Sequence, residues 1–183
     1  MNNTQTKIIV HQDLLNRCRW GDQQAQTEIY NLYYKAMYNT SLYITKNEAE
    51  AEDIMQEAFL KAFKLLQSVK VESGFGGWLK KIVINKSLDA VRKQKYHFDH
   101  VDEIKDNTVD SGTFEETGES ISDKIAKIKR AMSQLPEKYR VVLSMNLLEG
   151  FDHDEISSIL GITASTSRAQ LSRGKQKLLQ LLN

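Results

Sequence analysis

Apolar positions along this 183-residue chain recur at intervals of three and four, interrupted by short polar or glycine-containing stretches. That interval returns side chains to one face of an α-helix, so the pattern predicts helices and no sheet. DLLNRCRWGDQQAQTEIYNLYYKAMYNTSLYIT reads as two helices separated at Gly21. Gly21 suits a left-handed C-terminal cap, and Asp22 then accepts hydrogen bonds from the free amides of the next helix. NEAEAEDIMQEAFLKAFKLLQSV, capped by Asn47, carries Ile54, Ala58, Ala62 and Leu65 as one apolar stripe flanked by Phe59 and Leu66. Asp53, Gln56, Glu57 and Leu60 lie on a neighbouring face. After the break VESGFGG, WLKKIVINKSLDAVRKQK reads as another amphipathic helix with Trp78, Ile82 and Val91 on its apolar side. Trp78 is read as core; Phe75, in the glycine-flanked loop before it, is free to approach a nucleic-acid base.

The periodicity then fails. Residues 98–120 hold eight acids against Lys105 alone and bury too little apolar surface to order themselves, so they read as a flexible linker. Beyond it, ISDKIAKIKRAMSQL and PEKYRVVLSMNLLEG form two helices, with Pro136 at a permitted first-turn position. Asp152 and Glu155 have the spacing of a capping box and open the short helix HDEISSIL. In it Ile156, Ile159 and Leu160 pack inward, Gly161 turns the chain, and Ile162 anchors the turn. The last helix, from Ala164 to about Leu181, turns Leu171, Leu178 and Leu182 inward and leaves Arg168, Ser172 and Lys175 on one outer strip. Helix, glycine turn and basic helix make a helix-turn-helix, whose second helix enters a DNA major groove. Hydroxyls at Ser165, Thr166 and Ser167 would gather at its N-terminus, where free amides favour phosphate. Ser167 stands where such a motif normally holds an apolar residue, which predicts looser packing between the two helices. The expected architecture is all-α: a domain over 1–97, an acidic flexible linker over 98–120, and a helix-turn-helix domain over 121–183.

Charge sharpens this. The formal net charge is only +1, yet Lys80 to His97 holds six cations against Asp89, and Ala164 to the C-terminus holds four cations and no acid. Two cationic surfaces separated by an anionic tether fit a protein that meets a polyanion twice. The density of Lys81, Lys86, Arg92 and Lys93 argues for phosphate contact. Other classes are set aside. One cysteine, Cys18, excludes an internal disulfide and reads as a small buried thiol; no Cys/His spacing suggests zinc. No apolar run approaches the roughly 18 residues of a membrane span, and the start lacks a signal-peptide pattern, so no membrane insertion and a cytoplasmic location are expected. A carboxylate-bridged metalloenzyme would need Glu-x-x-His pairs, and none of His11, His97, His100 and His153 has an acid three residues before it. No catalysis and no cofactor are expected.

EKYRVVLSMNLLEGFDHDEISSILGITASTSRAQLSRGKQKL resembles region four of the extracytoplasmic-function group of bacterial RNA polymerase sigma factors. GDQQAQTEIYNLYYKAMYNTSLYITKNEAEAEDIMQEAFLKAF with FGGWLKKIVINKSLDAVRK resembles region two of the same group. The two likenesses lie in family order. They imply a subunit that binds core RNA polymerase, recognises promoter DNA and opens it, often under the restraint of an anti-sigma protein. By resemblance, Asp53, Gln56 and Glu57 lie on the helix that docks on the polymerase, with Leu60 adding apolar contact. Asn85 falls near the pocket for a base flipped from the minus-ten element; its other reading is a hydrogen-bonded surface amide. Arg168, Ala169 and Ser172 face base edges of the minus-thirty-five element, while Thr166, Arg173 and Lys175 lie nearer phosphate. A helix-turn-helix regulator that does not replace a sigma subunit is the rival, and it has no reason to carry AEDIMQEAF with WLKKIVIN.

Overall fold

The computed structural model describes residues 12–68, 74–98 and 120–182, and no strand occurs among them. The helices are α1 (12–19), α2 (Gln23–Thr45), α3 (Glu48–Leu66), α4 (Phe75–Phe98), α5 (Ile121–Gln134), α6 (Glu137–Leu143), α7 (His153–Leu160) and α8 (Ala164–Leu182). The chain divides into two compact units, one ending at Val91 and the other beginning at Arg92. Between Phe98 and Ser120, the segment expected to be a linker lies outside the described residues.

In the first unit, α1 ends at Gly21 with φ +80°, a backbone region that suits glycine. The Gly21 amide donates to the Cys18 carbonyl and the Asp22 amide to the Arg17 carbonyl, closing the turn. Asp22 then caps α2 by accepting from the Gln24 and Ala25 amides at 2.9 and 3.1 Å. Asn47 caps α3 through the Glu50 amide. Leu14, Leu15 and Cys18 of α1 meet Ala25, Ile29 and Met37 of α2 in a buried cluster. To it α3 contributes Ile54, Met55, Ala58, Phe59, Ala62 and Leu66, and α4 contributes Phe75, Leu79 and Val83. The expected α3 stripe is largely the buried one, with Leu66 rather than Leu65 at its end. Burial pushes the Cys18 thiol up to about 11.

The start of α4 departs from expectation. The helix begins at Phe75, not at Trp78, and Phe75 is 4 % exposed. Its ring centroid lies 5.4 Å from that of Tyr33. Gly76 allows this approach, since a Cβ there would sit 2.8 Å from Tyr33 Cε1. Phe75 is therefore a core side chain rather than a loop residue able to reach DNA. The buried row of α4 is set one residue on from the expected one, with Leu79, Val83, Ile84 and Leu88 inside and Trp78 and Ile82 half-buried. Ser87 of α4 and Ser41 of α2, both fully buried, share a hydrogen bond of 2.9 Å.

In the second unit, Ser120 and Asp123 form a capping box on α5. Only the end of α5 enters the core, through Ala131 and Met132. Pro136 precedes α6, whose continuation through Ser144–Leu148 is a π-turn. Arg140 is buried and donates from Nη1 to the Leu135 carbonyl at 3.1 Å; burial lowers its pKa. Asp152 and Glu155 form the predicted capping box of α7, and Gly161 ends it at φ +68°. Leu135, Val142, Leu143, Met145 and Ile156 are the largest buried aliphatic side chains around which α6, α7 and α8 gather. Ile159, Leu160, Leu178 and Leu182, on the sides expected to face inward, are half-buried.

Candidate nucleic-acid and polymerase interfaces

The second unit presents α8 with two rows of opposite character. Ser167, Leu171 and Gly174, spaced by four and three, are buried. One residue further on, Arg168, Ser172 and Lys175 repeat the same spacing and are exposed, as are Thr166, Ala169 and Arg173. Periodicity predicts Arg168, Ser172 and Lys175 on one outer strip and the family resemblance adds Thr166, Ala169 and Arg173; all six are exposed. The helix carries no acid. At its N-terminus the Thr163 hydroxyl accepts from the Thr166 amide at 3.1 Å and bonds the Ser165 and Thr166 hydroxyls at 2.9 and 2.8 Å.

Ser167 does not belong to that hydroxyl cluster. It is fully buried, and its Oγ lies 2.9 Å from Nδ1 of His153, the first residue of α7. The expectation of loosened packing is therefore corrected: the hydroxyl that replaces an apolar side chain has found a directional partner on the other helix. Gly174 was also missed. A Cβ there would lie 2.8 Å from Leu143 Cδ1 and 3.2 Å from Tyr139 Cβ, so its absence sets how closely α8 approaches α6.

In the first unit, Asp53, Gln56, Glu57 and Leu60 lie together on the exposed face of α3, spaced by three, one and three. Leu60 is 63 % exposed, which places an apolar group among carboxylates. Glu57 is ion-paired to Lys86 of α4. Two residues expected to meet different partners are thus each other's neighbour, tying α3 to α4. Lys81 and Asn85 are exposed one turn apart on α4; Arg92 and Lys93, exposed further along the same helix, fall in the second unit. Asp89 is also exposed between them, which moderates the positive charge of this surface.

Comparison with known proteins gives this geometry a family. Residues 29–96 match the model for sigma-70 region 2, and residues 125–178 match that for sigma-70 region 4. The ECF RNA polymerase sigma factor SigW of Bacillus subtilis is 30 % identical over 90 % of this chain and 92 % of its own length. The chain belongs to the ECF RNA polymerase sigma factors. SigM of the same organism is 31 % identical to this sigma factor over 85 % of the chain and 94 % of its own length. Among solved structures, the sigma factor RpoE, in complex with the anti-sigma factor NepR from Bartonella quintana, shares the fold with a TM-score of 0.62. That likeness has 20 % identity and covers 85 % of this chain and 95 % of that one. CnrH, in complex with the cytosolic domain of CnrY, aligns with a TM-score of 0.56 and 19 % identity over 92 % of the sigma factor and 94 % of its own chain. No helix among the sigma factor's described residues is long and apolar enough to cross a membrane.

Proposed function

We propose that this promoter-directing sigma factor divides its work among three helical faces, with α8 reading the upstream element as duplex, α4 holding the opened downstream strand, and α3 docking on core RNA polymerase. The observation that carries the reading is the pair of rows on α8. A buried inner row holds the helix against its domain while an acid-free outer row offers Arg168, Ser172 and Lys175 at the spacing of one helix face. A helix so held presents side chains to base edges and cations to phosphates.

The division has an energetic logic. Extruding a base from the duplex costs a few kcal/mol, which capture of that base and contact with its backbone offset. On α4, Asn85 is the candidate for base contact, and Lys81, Arg92 and Lys93 for the strand. Lys86 contributes through its pairing with Glu57, holding the two helices together. Phe75 has no part in base capture. On α3, Asp53, Gln56 and Leu60 supply a polar rim and an apolar centre, the composition usual for a protein interface. The complex of the structurally similar RpoE with an anti-sigma factor supports an anti-sigma protein as a further partner here.

Arg168 and Arg173 test the reading of α8. Arg168→Ala should relax preference at one upstream position, with a loss of about 1–3 kcal/mol against the preferred base. Arg173→Ala should weaken binding to every sequence alike and reduce the salt dependence. The measurement is binding of holoenzyme to a set of upstream duplexes differing at single positions. An equal, sequence-independent loss for both variants would remove α8 from direct base reading.

A further inference from the structure

The contact between His153 and Ser167 joins α7 to α8. Ser167 heads the buried row of α8, and Arg168, the next residue, heads the exposed row. His153 stands at the first position of α7, half-buried, with Nδ1 at 2.9 Å from the Ser167 hydroxyl. The hydroxyl donates to Nδ1 in one imidazole tautomer and accepts from it in the other, so the bond persists in both. An apolar pair at these positions would hold the helices by non-directional contact, which tolerates sliding and rotation. A hydrogen bond does not, because it weakens steeply with angle.

We propose that the His153–Ser167 hydrogen bond is a positioning device that fixes the rotation of α8 about its own axis, and so fixes where Arg168 and Ser172 meet the base edges. The proposal rests on the reading of α8 as the duplex-reading helix. The lever is short and effective. With side chains about 5–6 Å from the helix axis, a rotation of roughly 20° carries them by about 2 Å. Displacement on that scale is enough to break a base contact while leaving phosphate contacts made by long, flexible cations. Loss of the bond therefore lowers discrimination before it lowers affinity. His153 and Ser167 are positioning residues: neither needs to touch DNA.

The test compares two substitutions of similar polarity. In His153→Asn the amide group falls near the place of imidazole Nδ1; in His153→Gln it lies one methylene further out. Full-length protein assembled with core RNA polymerase would first select an upstream duplex from a randomised library. The ratio of affinity for that duplex to affinity for a scrambled one is then measured, alongside thermal unfolding. Ser167→Ala and His153→Gln should each reduce the ratio about five-fold, the equivalent of one ordinary hydrogen bond, while scrambled duplex binds as before. His153→Asn should keep it. A loss of folded protein would lower both affinities together and leave the ratio unchanged. A wild-type ratio in a His153→Gln variant whose thermal unfolding shows it folded, or an Asn variant as poor as the Gln variant, overturns the proposal. If wild-type holoenzyme selects no upstream sequence at all, the reading of α8 fails and the positioning role falls with it.

Discussion

Asp22 serves two ends with one carboxylate. It caps α2 through the Gln24 and Ala25 amides and accepts from Arg17 Nε at 2.8 Å. The Ala25 amide, followed by Arg17, holds its pKa below the usual carboxylate value. A folded pKa depressed in this way contributes stability that is present above the unfolded value, about 3.9, and is lost as pH falls through the folded value. Asp22→Asn keeps a good cap but removes the titration, so the variant should show a shallower loss of melting temperature below about pH 4. Melting curves that run parallel into acid would contradict this. Residues such as Asp22, Asn47 and Asp152 were legible in sequence because a cap and the amides it satisfies lie within three positions. Ser167 was not, because its partner is 14 positions away, and no local signal distinguishes a hydroxyl that loosens a contact from one that has found a partner.

Helices were easier to read than the direction in which they face. WLKKIVIN offers apolar side chains on two adjacent sides, so periodicity alone leaves the buried side open. Packing of Phe75 on Tyr33 decides it, and the buried row follows from there. On α8 the same question turns on Gly174, which sequence gave no reason to single out. Gly174→Ala gains about 1 kcal/mol of helix propensity. It also forces a methyl against Leu143 and Tyr139, and overpacking of this kind typically costs about 1–3 kcal/mol. A net loss of up to about 2 kcal/mol is expected in urea unfolding; a more stable variant would mean that α6 yields. Exposed faces make a different kind of prediction. Asp53→Ala with Gln56→Ala, both on the outer side of α3, should weaken binding of labelled protein to core polymerase and leave the helical circular dichroism unchanged. Unaltered affinity would move the docking surface elsewhere.

At the scale of the molecule, the sequence predicts two helical bodies because periodicity lapses over residues 98–120, while the structure divides into two units earlier, between Val91 and Arg92, within α4. Substitutions in different units should then act independently. Asn85→Ala and Arg168→Ala combined should reduce promoter binding by the sum of their separate effects, within about 0.5 kcal/mol. A larger discrepancy would reveal coupling between the units. Two units on one chain also change the kinetics of staying bound. On the proposed division of work, once one unit holds its stretch of DNA the other would meet its own at an effective concentration set by the connecting residues, which typically tightens joint binding by about 100- to 10,000-fold over either alone. Neither stretch then has to be a good match by itself, and a strong upstream sequence offsets a weak downstream one. A substitution confined to α8 would accordingly reorder which promoters are served, sparing those that rely on the other unit, instead of silencing all of them at once.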